Sequence, residues 1–340
     1  MTQTRVERLL IAAMVIIACV LPFILDKFWT ERITMWIPLA LGALGLNLLT
    51  GYNGQISVGH SAFFGVGAYT CGLAVTHWRV PFLVGIVLAA VLCFVVGVIV
   101  GVPALRIKGM YLALVTLAVA TLFPQLLEQF HDLTGGSTGL MITSPQEYRG
   151  TIEELRIEFE APSGLGLQPD QWRYLFFLAV AMVCFVCVRN IVHSRIGRAM
   201  VAIRDNETAA EVAGVHTAVV KVVTFGISSA LAGVGGAILA LGNGQVFSTS
   251  FTVALSLYLL VAMVVGGPAT IMGPAVGAVV YGLFEDVLKP ELPESARAVS
   301  PLILGVLLVV TMFFAPGGIL GWLKGQLSKR RSRAITGAGV

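Results

Sequence analysis

Thr50-Gly51-Tyr52-Asn53-Gly54-Gln55-Ile56-Ser57-Val58-Gly59-His60-Ser61 is a polar, glycine-rich stretch set between two apolar segments, Ile37–Leu49 and Ala62–Val75. Lipid cannot satisfy the backbone groups that a broken helix frees, so such an interruption survives in a membrane only where protein or a water-filled cavity surrounds it. Broken helices are also where many transporters handle their substrates. Two readings follow. The stretch is a re-entrant or discontinuous segment whose Asn53, Gln55, Ser57 and His60 line a substrate pathway, or it is a plain cytoplasmic turn between two spans.

The composition around it calls for a membrane. The 340-residue chain is 57% hydrophobic and only 12% charged, with a mean hydropathy of +0.89, which excludes a soluble globular domain. At about 20 apolar residues per crossing, roughly ten helices fill such a chain. The expected spans are Leu9–Leu25, Ile37–Leu49, Ser61–Val75, Phe82–Val102, Tyr111–Leu127, Trp172–Val188, Val222–Leu241, Thr252–Gly266, Ile271–Phe284 and Pro301–Phe314. Several are short, and tilt or discontinuity must make up the difference. The expected fold class is an all-α integral membrane protein of about ten transmembrane helices, with discontinuous or re-entrant segments. The first run follows Arg5 and Arg8 as a signal peptide would, and Ile17-Ala18-Cys19 looks like a lipoprotein cleavage site. Apolar sequence continues to Leu25, however, with no small-residue cleavage site before Asp26, which favours a retained span.

Charge placement orients the spans. Arg106 and Lys108 in loop 103–110, Arg189, Arg195, Arg198, Arg204 and Lys221 in loop 189–221, and Lys324, Lys329, Arg330, Arg331 and Arg333 in the tail fall on one side under the ten-span count. The positive-inside rule makes that side cytoplasmic, with both termini inside. Loop 128–171 lies opposite and is acidic, carrying Glu128, Asp132, Glu147, Glu153, Glu154, Glu158, Glu160 and Asp170 against Arg149 and Arg156. Three regions result: 1–36 with the first span, 37–322 as the transmembrane domain, and 323–340 as a basic cytoplasmic tail. A formal charge of +4 on a chain this apolar points to a lipid bilayer, not to nucleic acid. Small residues at helical spacing, Ser61/Gly65/Ala68/Gly72, Gly97/Gly101 and Gly273/Gly277, mark close helix contacts. Asn53-Gly54-Gln55 after the second span is echoed by Asn243-Gly244-Gln245 after the seventh, on opposite sides, as in an inverted repeat.

The cytoplasmic loop reads as two short helices. Ser194–Arg204 is basic; Asp205 or Asn206 then caps Glu207–Ala213, with Glu207 in its first turn and Gly214 as its left-handed stop. Two turns are too few to persist alone, so something must hold the second helix. Ala209, Ala210 and Ala213 offer a small-residue surface for a partner's groove, the alternative being a solvated connector. Enzyme chemistry finds no support: no clustered Ser/His/acid set and no grouped metal ligands occur. Cys184-x-x-Cys187 lies within an apolar helix and reads as packing, and His60 reads better as a structural or interfacial residue than as a ligand. The absence of a GxxxxGK[ST] phosphate loop excludes ATP hydrolysis by this chain alone. Ion-coupled transporters keep charged residues inside their spans, and the span cores here are nearly free of them.

Several motifs carry a family resemblance. Asn53–His60 followed by Ala62-Phe63-Phe64-Gly65-Val66-Gly67-Ala68-Tyr69, Gly109–Ala118, Leu133–Leu140, Gly197-Arg198-Ala199 through Ile203–Glu207 and Ala209-Ala210-Glu211, Gly266-Gly267 with Gly273-Pro274, and Phe314–Gly321 together resemble the permeases of branched-chain amino-acid ABC importers. Across residues 37–322 the chain looks like the LivM type rather than the LivH type. The resemblance implies a second, LivH-type permease, two cytoplasmic ATP-binding subunits that use ATP and Mg, and a periplasmic substrate-binding protein, all in a bacterial inner membrane. It implies no cofactor on this chain. It places ATPase coupling on Arg198, Arg204, Asp205, Asn206, Glu207, Ala209, Ala210, Glu211 and Gly214. The chain departs from the pattern at Asn243–Phe251, which lacks the usual proline, and in its acidic 141–170 loop. Related permeases for urea or other amino acids look similar, and an ion-coupled transporter is the reading from a different class.

Overall fold

The computed structural model describes residues 14–104, 110–148, 151–156, 161, 166–293 and 299–322. Arg106 and Lys108, the tail 323–340, Arg149, Glu158, Glu160 and the first residues of the Leu9–Leu25 span lie outside the described residues.

Helix α1 is described over Met14–Ile24 and runs straight through Cys19. It packs on α7 (Pro169–His193), where Tyr174 donates to the Ala18 carbonyl at 2.9 Å and Gln171 to that of Pro22 at 3.2 Å. Helix α2 (Lys27–Leu46) begins ten residues before the expected span, capped by Asp26, which accepts from the Trp29 N–H at 3.3 Å. Its polar first turns are tolerated because they are paired. Glu31 meets Arg173 at 3.6 Å; Arg32 pairs with Asp286, whose other oxygen accepts the Trp36 indole N–H at 2.7 Å. Helix α2 then widens into a π-turn, Asn47–Tyr52.

After the break come α3 (His60–Trp78), α4 (Phe82–Ala104), α5 (Met110–Gln129) and the single turn α6 (His131–Thr134). Strands β1 (Leu140–Met141), β2 (Thr143–Tyr148) and β3 (Thr151–Arg156) lead to α7. Helices α8 (Arg195–Asp205) and α9 (Glu207–Val212) follow, then α10 (Thr217–Asn243) and β4 (Gln245–Val246). The chain continues through α11 (Val253–Gly266), α12 (Gly273–Leu283) with a second π-turn (Phe284–Leu288), α13 (Lys289–Glu291) and α14 (Ser300–Phe314).

Helix α10 is the axle, buried against α2, α3 and α4. Its small residues set how closely the others approach. A Cβ on Gly236 would lie 1.8 Å from the Phe64 carbonyl oxygen, and one on Gly67 would lie 2.1 Å from that of Gly233. The expected glycine pairs also sit at crossings: Gly97 against Ser229, Gly101 against Phe225, and Gly277 against the Ala262 carbonyl of α11. An aromatic cluster in which Phe251 meets Phe64, Tyr69 and Phe123 fills the far end.

The chain is a helical membrane protein, as expected, with two short two-stranded ladders beside its helices. β1 pairs antiparallel with β4, Leu140 opposite Val246, and β2 pairs with β3. The two segments that depart from the family pattern, Asn243–Phe251 and the acidic loop, are thus joined by a backbone ladder. In addition, six helices among the described residues are long and apolar enough to cross a membrane: Lys27–Tyr52, Phe82–Pro103, Tyr111–Gln129, Pro169–His193, Thr217–Asn243 and Ser300–Trp322. Helices α11 and α12, with 14 and 11 residues, fall short, and α3 is long enough but carries too many glycines and polar side chains.

Candidate functional site

The break between α2 and α3 ends one helix by ordinary chemistry. Gly54 is left-handed (φ +75°), which lets its N–H reach the Thr50 carbonyl at 3.2 Å and the Gln55 N–H reach that of Leu49 at 3.1 Å. The Thr50 hydroxyl donates to the Gln55 carbonyl at 2.8 Å. Residues 53–59 are then non-helical, and two neighbouring helices take backbone N–H groups here and at the start of α3. The Val58 N–H donates to Thr116 of α5 at 3.0 Å, and the Ser61 N–H to Ser256 of α11 at 2.8 Å. Asn47, fully buried, holds the turn between α11 and α12 with both ends of its amide: it donates to the Thr270 carbonyl at 2.7 Å and accepts from the Ala269 N–H at 2.9 Å. This is how irregular backbone is kept inside a bundle.

His60 is the centre of a buried relay. Its Nε2 lies 2.8 Å from the Ser228 hydroxyl, which donates onward to the Gly45 carbonyl at 2.5 Å; its Nδ1 lies 3.1 Å from the Ser57 hydroxyl. Because Ser228 spends its proton on Gly45, Nε2 carries the imidazole proton and Nδ1 accepts from Ser57, a neutral tautomer set by the donors around it. Of the four expected pathway residues, Ser57 and His60 are therefore committed to internal bonds. Asn53, 2% exposed, has neither amide atom paired, and the Gln55 Oε1 is likewise buried without a partner among the described residues. Those two side chains keep hydrogen-bonding capacity for something else.

The 189–221 loop folds as two helices. Ser194 caps α8, accepting from the Ile196 N–H at 3.1 Å, while Gly197, Met200 and Ile203 face inward and Arg198 is exposed, reaching the His193 carbonyl at 3.3 Å. Asn206, not Asp205, caps α9, accepting from the Ala209 N–H at 3.0 Å; Asp205 instead grips the Arg204 guanidinium at 3.0 and 3.1 Å. Two side-chain ties hold α9 to α10: Lys221 to Glu207 at 2.5 Å, and Thr217 to Glu211 at 2.7 Å. Gly214 is left-handed (φ +84°) and open to solvent. One expectation is corrected here. Ala210 is 4% exposed and is covered by its own chain, since α9 lies against α8 and α10. The free surface is Thr208, Ala209, Val212 and Ala213, with Val212 87% exposed.

The structure brings the two regions together. Arg204 of α8 donates from Nη1 to the Gly51 carbonyl at 3.1 Å, and a Cβ on Gly54 would meet the Arg204 side chain at 2.9 Å. Sequence reasoning missed Asn47, Thr116, Ser228 and Ser256, single polar residues within apolar helices. Their burial in such runs was the available signal, since a lone polar side chain in a span must find a partner.

The family model described as "Branched-chain amino acid transport system / permease component" matches residues 30–312. The chain belongs to this family. It is 29% identical to the high-affinity branched-chain amino acid transport system permease protein LivM of Salmonella typhimurium, over 98% of this chain and 79% of that protein. It is 25% identical to the corresponding LivH protein of Escherichia coli, over 85% of this chain and 93% of the relative. The permease protein BraD of Pseudomonas aeruginosa is 23% identical over 83% of the chain. No solved structure matches. The resemblance to LivM is the fuller one, as the motifs imply, and the protein is a multi-pass membrane permease component.

Proposed function

We propose that this chain is the membrane-spanning permease subunit of an ATP-binding-cassette importer that carries leucine, isoleucine and valine across a bacterial inner membrane. It pairs with a second, LivH-type permease, takes substrate from a periplasmic binding protein and is driven by two cytoplasmic ATP-binding subunits. The observation that carries the reading is α9. Six residues cannot persist as a helix alone, yet two side-chain ties and a cap hold this one out from the bundle with Ala209, Val212 and Ala213 bare. The chain has no phosphate loop, so the energy must enter from a partner, and this tip is a seat for one. It is a transport subunit and not an enzyme. In this reading α1, α3, α11 and α12 complete ten spans by tilt and by their packing against longer neighbours, and both termini are cytoplasmic.

Co-expression with the candidate ATP-binding subunits tests this. Val212→Asp or Gly214→Pro should abolish their co-purification and leucine uptake in proteoliposomes while leaving membrane insertion intact. Ion-driven leucine uptake by the purified chain alone, with no ATP-binding subunits, would sink the proposal. Uptake of urea in place of leucine by the complete complex would move the substrate and keep the machinery.

A further inference from the structure

Arg204 sits at a mechanical junction. The last carbonyls of a helix lack intrahelical partners and carry its negative dipole end. At the end of the 26-residue run Lys27–Tyr52, the Thr50 and Leu49 carbonyls are taken by Gly54 and Gln55, and the Gly51 carbonyl is taken by the Arg204 guanidinium. Asp205 holds that guanidinium through Nε and Nη2, leaving Nη1 aimed at Gly51. Gly54 lies so near the α8 backbone that a Cβ would come 3.3 Å from the Arg204 Cα. One turn back in the same helix end, Asn47 holds the backbone of Ala269 and Thr270. A continuous line of contacts therefore runs from the tip of α9, through α8 and Arg204, into the π-turn, and on to the α11–α12 turn.

We infer that Arg204 is a positioning residue that, though its side chain is partly exposed, caps the broken end of α2 and transmits displacement of the α8–α9 tip to the Asn53–Gly59 segment, and that it is not itself a docking contact for the ATP-binding partner. This rests on the importer reading only for the source of the displacement. The π-turn suits the role, since π-turns are rare and frequent at functional sites, and a change in its end cap biases its geometry directly.

Two measurements decide it. Hydrogen exchange on the full chain in detergent should show the Gly54 and Gln55 amides of Arg204→Ala exchanging about tenfold faster, the loss of one charge-assisted hydrogen bond, with α3 unchanged. In the assembled importer, the same variant should keep its ATP-binding subunits and hydrolyse ATP, but take up leucine at less than a tenth of the normal rate. Arg204→Lys keeps the charge but cannot fork between Asp205 and Gly51, so it should recover part of the uptake; it also serves as the test should Arg204→Ala fail to accumulate. Unchanged exchange at Gly54 and Gln55 overturns the inference, as does loss of the ATP-binding subunits from Arg204→Ala. A wild-type chain that binds no ATP-binding subunits would refute the importer reading, while the exchange arm would still judge the link.

Discussion

Gly236→Ala adds one methyl group to the α3–α10 crossing. That methyl would lie 1.8 Å from the Phe64 carbonyl oxygen, 2.7 Å from its carbon and 3.0 Å from the Ala68 nitrogen. All three are backbone atoms, so no rotamer change relieves the clash. Ordinary contact begins near 3.4 Å, so the two helices must part by about 1.6 Å, a gap that forfeits more than half of the dispersion energy along the contact. Overpacking of this kind costs about 3 kcal/mol, the upper end of the usual range. Since α10 also packs on α2 and α4, the separation cannot be absorbed by moving α10 away. At roughly 2–4 °C per kcal/mol, the midpoint of heat-induced loss of the monodisperse peak in gel filtration should fall by about 6–12 °C. Gly305→Ala in α14, where nothing lies within 4 Å of the new methyl, is the control and should leave the midpoint unchanged or slightly raised. If Gly236→Ala melts within about a degree of both, close approach of α3 and α10 is not what holds this bundle together.

Asn47→Leu strands the part-buried Ala269 N–H and Thr270 carbonyl, at a cost of about 1–3 kcal/mol; faster proteolytic cleavage between residues 267 and 272 is the readout, and normal resistance would count against the clamp. His60→Ala and Ser228→Ala each open the same relay, so the double variant should lose about 1–2 kcal/mol less than the sum of the singles in a thermal-stability cycle. Additivity there would show that the two side chains do not act together. Asp286→Ala removes the ion partner of Arg32 and the acceptor of the Trp36 indole and should destabilise by about 1–3 kcal/mol, whereas Asp286→Asn, which still accepts from Trp36, should recover part of that; equal losses would mean that the indole bond contributes nothing.

The sequence displayed what depends on local chemistry. The left-handed stop at Gly214, the helix pair of the 189–221 loop and the glycine crossings all follow from spacing and residue type. Boundaries were less visible wherever polar residues are neutralised across the fold. Helix α2 starts at Lys27 because Glu31, Arg32 and Trp36 find partners 142 to 254 positions away, which no window along the chain can detect. Ala210 turns inward for a related reason: which face of a two-turn helix is covered depends on its docking against its own bundle, held by Lys221 to Glu207 and Thr217 to Glu211, and not on local spacing. The link from Arg204 to Gly51 spans 153 positions and had no local signature.

The tripeptide Asn-Gly-Gln shows how one local signal serves two ends. At both places the glycine is left-handed, φ +75° at Gly54 and +63° at Gly244, and closes a long helix. The echo is thus accounted for by helix termination, without any need for an inverted repeat. The flanking asparagines differ: Asn243 is exposed, while Asn53 is buried with its whole amide unpaired. A buried amide with no partner costs about 1–3 kcal/mol, and such a cost is retained where activity needs the group. Asn53→Leu, nearly the same shape, should therefore raise the thermal midpoint by a few degrees, the equivalent of about 1–2 kcal/mol, and at the same time cut leucine uptake by the assembled importer. Asn243→Leu should do neither. A less stable Asn53→Leu would mean that the amide is already bonded in the resting protein, and Asn53 would then join Ser57 and His60 as part of the scaffold instead of the path.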